Sequence, residues 1–126
     1  MTDERNLEVL AKVLDGFNAH DTDAIMAHFT ADAVFESPRG PDPWGRRFEG
    51  TDAVRAGFQA RFDGIPDIHY ESQGDFVCGD RGVSEWILSG TTTSGQRLEV
   101  WGCDIWTFRD DRIARKASFW KIVDQA

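Results

Sequence analysis

The feature that most restricts this fold is a change of period at Ile68. Before it, apolar residues recur at helical intervals: Leu7, Leu10, Leu14 and Phe17, with Val13 widening the stripe, and later Val54, Phe58 and Phe62. After it they recur at every second position in four segments, Ile68–Cys78, Val83–Thr91, Leu98–Phe108 and Ile113–Ile122. The breaks between segments are "GDRG", "TSGQ" and "RDDR", rich in the Gly, Asp and Ser of tight hairpins. Helices followed by an antiparallel meander predict an α+β fold. Strands this long predict a sheet that twists and curls around the helices as an open cone.

Three helices are expected ahead of the meander. Thr2 or Asp3 can cap the first, Asp21 or Thr22 a short second one bearing Ile25, Met26 and Phe29, and Thr51 the third. "AVFES" (Ala33–Ser37) reads as a short strand, and the following "PRGPDPWGRRFEG" as a loop. With 126 residues, no repeat and no linker, residues 1–126 read as one domain.

Charge narrows the function classes. A net charge of −8 disfavours nucleic acid and anionic membrane surfaces, both of which ask for clustered Lys and Arg. No apolar run approaches the ~20 residues that span a bilayer, and the acidic start "MTDERNLEVL" is unlike a secretory signal. The expectation is a cytoplasmic protein. Cys78 and Cys103 both fall in strand segments and read as small core residues in a reducing compartment. No His or Cys spacing suggests a metal, no phosphate loop or nucleophile elbow is present, and no cofactor is expected.

Asp104 sits inside the apolar run Cys103–Phe108. An ionised carboxylate there costs several kcal/mol or more unless paired or protonated. Alternation places it on one face with Leu98, Val100, Gly102, Trp106 and Phe108. An odd-length hairpin loop centred on Asp111 sets Trp106 opposite Lys116 and Asp104 opposite Ser118, whereas a two-residue turn exchanges the faces of the last strand. In the first register Lys116, Ser118 and Trp120 join Asp104 on one wall. That wall is either a ligand pocket, apolar with a few placed polar groups, or a half-wet face carrying an Asp104–Lys116 ion pair.

"DTDAIMAHFTADAVFESP" and "GCDIWTFRDDRIARKASFW" resemble the entry segment and closing hairpin of the nuclear transport factor 2-like superfamily. Within it the chain is most similar to the SnoaL-like polyketide cyclases and the ketosteroid isomerases, from Leu7 to Trp120. The resemblance implies a cone of curved sheet closed by three helices around an apolar cavity. It matches Asp104 to the isomerases' oxyanion Asp, a protonated acid that donates a hydrogen bond, and Trp120 to a cavity tryptophan. Two positions depart: Ser37-Pro38 stands where the isomerases have Asp-Pro, and Val13 falls at their helix tyrosine. Steroid isomerisation by that mechanism is therefore not implied. Among the SnoaL-like cyclases an Asp takes a proton alpha to a carbonyl with help from a His. Asp104 matches that acid/base, and His69 is the candidate His, with His20 and His28 on or after helices.

Glu85 can act as a second carboxylate if its face looks inward, in which case Ile87 and Ser89 line the cavity with it. Trp44 in the Pro/Gly-rich loop reads as a lid over the cone or as a packing plug, and Arg39, Arg46 and Arg47 beside it as a greeting for an anion or as solvated charge. The expected site thus comprises Asp104, Lys116, Glu85 and His69 as chemistry, with Ser37, Trp44, Phe58, Ile87, Ser89, Val100, Trp106, Ser118 and Trp120 as walls. The expected ligand is a small apolar or aromatic carbonyl compound. One function is a cofactor-free isomerase, cyclase or lyase, and the other a noncatalytic binding or dimerisation module. A homodimer is expected through an outer face bearing Trp86, Leu88, Trp101, Cys103, Ile105 and Phe119. An epoxide hydrolase or dehydratase ranks lowest, because Arg115 has the wrong parity to join Asp104.

Overall fold

A computed structural model describes residues 2–124. Helix α1 (Thr2–Asn18) and the short α2 (Thr22–Met26) lead into strand β1 (Phe29–Glu36); β2 (Arg47–Glu49) and α3 (Thr51–Gly64) follow. The meander is β3 (His69–Cys78), β4 (Arg81–Thr91), β5 (Arg97–Arg109) and β6 (Arg112–Trp120). All six strands form one sheet in the order β2-β1-β6-β5-β4-β3, antiparallel except where β1 runs parallel to β6. The architecture is α+β, as the periodicity predicts, with α1 and α3 packed on the inner face of a curved sheet.

Local chemistry explains most boundaries. Asp21 caps α2 by accepting from Ala24 N at 3.1 Å. Asp3 does not serve α1 this way; it accepts from Gly79 N in the β3–β4 turn, and the side chain of Thr2 lies outside the described residues. Thr51 is the first residue of α3 rather than its cap, since Gly50 takes that place, and Thr51 Oγ1 donates to Ala31 O. Phe29 belongs to β1, not to α2, and β1 begins well before Ala33. The Pro/Gly-rich segment read as a loop contains β2, where Phe48 pairs with Phe35 and the two rings stack.

The buried face of α1 is Asn6, Val9, Leu10, Val13 and Phe17, rotated from the expected stripe, so Leu7 is 38% exposed. From α3, Val54, Phe58 and Phe62 are buried as expected. Phe58 packs edge-on or tilted against Phe17, Phe29 and Phe35, and each such ring contributes roughly 2–3 kcal/mol by leaving water.

The last hairpin has the expected Asp104–Ser118 and Trp106–Lys116 pairs, but by a different route. The turn is the two-residue kind, with Asp110 and Asp111 both at positive φ between Arg109 and Arg112. A bulge at Ala114, between the Phe108–Ile113 and Thr107–Arg115 pairs, then shifts the register by one and restores the inward face of Lys116.

Candidate active site

The inner wall is fixed by strand pairing. Asp104 stands between Ser84 on β4 and Ser118 on β6, Trp106 faces Lys116, and Trp86 faces Gly102. Gly102 permits this arrangement, because a Cβ there would meet Phe119 O at 2.4 Å and the Trp86 ring at 2.6 Å. With that space open, Trp86 Nε1 reaches Asp104 Oδ2 and donates to it at 2.9 Å.

Asp104 Oδ1 accepts from Lys116 Nζ at 3.0 Å and from Ser118 Oγ at 2.5 Å, and Lys116 also donates to Ser118 Oγ at 2.7 Å. All three partners of Asp104 donate. Four rings surround the ammonium: Phe35 at 4.8 Å, Phe17 at 5.2 Å, and Phe58 and Trp106 at 5.7 Å from Nζ to the ring centroids. Burial pushes Lys116 below the ordinary lysine value, the carboxylate of Asp104 pulls it back up, and the cation of Arg61 adds to the lowering. One box thus holds the charge pair with its polar partners satisfied and its flanks aromatic.

A cavity of about 30 Å³ lies against this pair, room for about two water molecules. Leu10, Val13, Leu14 and Phe17 of α1 form one side and Tyr70, Ser84, Trp86 and Trp106 the other. Ser72 and Asp75 border it where a bulge interrupts β3. Burial pushes the Tyr70 phenol above its usual range, Arg61 opposes, and Asp104 adds to the rise. Among the described residues no three His, Cys, Asp or Glu side chains converge as metal ligands would.

Of the expected wall, Phe58, Val100, Trp106, Ser118 and Trp120 lie on the inner side with Asp104 and Lys116. The β4 face is reversed. Ser84, Trp86 and Leu88 point inward, so Glu85, Ile87 and Ser89 are set on the outer face, although Glu85 borders the opening. The reversal follows from the β4–β5 hairpin, which centres on Ser94 and sets Ser84 opposite Asp104. His69 pairs with Ser89 and shares its outward face. His20 stacks on Phe62 and meets Ile68 O at 2.7 Å, away from Asp104. Ser37 is absorbed by its own loop, donating to Arg39 O and accepting from Arg46 N. Trp44 is exposed under the guanidinium of Arg47 and covers no part of the cavity.

Arg115 points outward, as its parity predicts. With Arg47 it holds the buried carboxylate of Glu36, the closest contacts being 2.5 Å and 2.7 Å. Cys78 is exposed and Cys103 half-buried on the outer face, so neither is the core residue expected. Sequence reasoning missed Ser84, Trp86 and Tyr70. The pairing signal for the first two was the five-residue turn "TTSGQ" (92–96), symmetric about Ser94.

No curated protein matches the chain. Solved structures do match over nearly its whole length. Bal32a from a soil-derived mobile gene cassette superposes with a TM-score of 0.85 at 19% identity, covering 95% of this chain and 92% of that one. A nuclear transport factor 2-like protein of unknown function from Mesorhizobium loti gives 0.80 at 24%, covering 97% and 95%. A candidate SnoaL-like polyketide cyclase from Jannaschia sp. CCS1 gives 0.81 at 20%, covering 94% and 87%. Identities this low carry the fold alone. The sequence itself matches the SnoaL-like domain family over residues 10–116, and the chain belongs to that family.

Proposed function

We propose that the chain binds a small apolar carbonyl compound inside the cone and moves a proton on it without a cofactor, as an isomerase, cyclase or lyase. The observation that supports this most is the acceptor carboxylate of Asp104 held by three donors at the edge of an aromatic cavity. In such a step Asp104 takes the proton from the carbon alpha to the carbonyl. The electron pair of that C–H bond moves into the enolate, whose oxygen is stabilised by the Lys116 ammonium. The proton then returns to the same or another carbon. Ser118 and Trp86 hold the carboxylate in place.

A noncatalytic binder is the second reading, favoured by the saturated hydrogen bonding of Asp104. Exchange of α-protons for deuterium, followed by NMR over a panel of small ketones, separates the two. The enzymatic reading expects exchange that drops by about 10²–10⁴-fold in Asp104→Asn while ligand binding persists. Binding without exchange in the natural protein overturns it.

The reading includes a homodimer through the outer face, where Trp101 is 61%, Phe76 60% and Phe119 52% exposed beside half-buried Cys103 and Ile105. Trp86 and Leu88, which alternation assigns to that face, are inside. Sedimentation equilibrium of the natural protein and of Trp101→Glu tests this, with a monomeric natural protein as the contrary result.

A further inference from the structure

Three arginines of this chain escape full exposure: Arg55, Arg61 and Arg115. Arg55 is held by Asp23 and Thr22, and Arg115 by Glu36. Among the described residues Arg61 has no hydrogen-bond acceptor and no carboxylate. Its guanidinium instead lies over the Trp120 ring, with Cζ 4.5 Å from the centroid. Trp120 is on the inner wall, two residues beyond Ser118 and opposite Gly102. Both Trp120 and Gly102 are only half-buried, so the wall meets solvent there, whereas the Asp104 end does not.

A guanidinium carries five N–H donors, and a ring face satisfies none of them. Stacking repays part of the desolvation, but a cation partly withdrawn from water ordinarily finds an anion. The groups that act on Arg61 electrically are Tyr70 and Asp104, both on the inner wall, and Arg39, a second cation. Asp104 is already committed to Lys116. Arg61 therefore stands at the open end of the inner wall with no carboxylate on it among the described residues, in a chain whose net charge of −8 would otherwise repel an anion.

We infer that Arg61 anchors a carboxylate carried by the ligand, with Trp120 as the ring on which the ligand stacks. A planar fork of donors suits a carboxylate in bidentate fashion. The substrate class becomes an aromatic or apolar acid whose carbonyl lies deeper, toward Asp104 and Lys116. This rests on the proposed function above, of which it specifies the substrate.

The test compares 4-acetylbenzoate with 4-methylacetophenone, which share the ring and ketone and differ in the carboxylate. Calorimetric or NMR titration should show the acid binding the natural protein about tenfold or more tightly, a difference of about 1.4 kcal/mol. The preference should shrink with added salt. In Arg61→Gln the two compounds should bind alike, and Arg61→Lys, which keeps the charge without the fork, should retain part of the preference. Equal binding of both compounds by the natural protein overturns the inference. So does a preference that survives in Arg61→Gln, or an acid that does not bind at all. α-Proton exchange is read separately on the neutral ketone, so proton transfer can fail while the carboxylate preference stands, and the reverse.

Discussion

Lys116 Nζ stands 3.0 Å from Asp104 Oδ1, and both side chains are withdrawn almost entirely from water. Removing one partner strands the other charge in the interior. Lys116→Met should therefore destabilise the protein by about 3–5 kcal/mol, and Asp104→Leu by a similar amount. The double variant should recover most of that loss, because nothing charged is left buried. Urea unfolding of the four proteins measures the coupling, and additive losses would show that the pair does not act as a unit.

The same lysine sets an alkaline dependence. Its folded value lies below the ordinary lysine value of 10.5, with burial as the main cause. Between that lowered value and 10.5 the unfolded chain binds more protons than the folded one, so this group makes stability rise with pH across the window. The stability difference between the natural protein and Lys116→Met should grow over that range. A flat difference would mean that Lys116 titrates as an ordinary lysine.

Glu36 works in the opposite direction of pH. Burial alone would raise its value, but Arg47 and Arg115 together hold it below 4.5. Its stabilising contribution is present above 4.5 and is lost as pH falls through the lowered folded value. Glu36→Gln should cost about 2 kcal/mol at neutral pH, discounted because both arginines are partly exposed. The cost should vanish in acid, as read from chemical denaturation at several pH values.

Gly102→Ala should push the Trp86 ring off its place and break the bond from Nε1 to Asp104. Overpacking of this kind costs about 1–3 kcal/mol. A changed tryptophan near-UV signal together with lower stability is the expected result, and an unaltered spectrum would place the ring elsewhere.

The sequence made the fold class legible because each hairpin announces itself by turn chemistry and by period-two alternation. Alternation put Lys116, Ser118 and Trp120 together on one face of β6, but it did not bring that face to Asp104; the bulge did. Alternation failed on β4, where Val83 and Ile87 are as apolar as Trp86 and Leu88, so hydrophobicity could not tell which face was inside. The outer face of this sheet is itself apolar at Trp101, Ile105 and Phe119, and that removes the usual contrast. The bulge at Ala114 was invisible for a different reason: an extra residue in a strand leaves no mark in composition, only in pairing. Strand β2 was hidden by its length, three residues between glycines. Arg61 could not be noticed at all from the sequence, since a missing acceptor is a property of the neighbours.

Strand β6 occupies the middle of the sheet, between β1 and β5, although it is the latest of the six in chain order. Until residues 112–120 are in place, β1 and β5 each present an unsatisfied edge, and Asp104 has neither its lysine nor its serine. The nascent chain must therefore keep two adhesive strands apart until the keystone arrives, and its exposure to chaperones and to misassembly is concentrated in that interval.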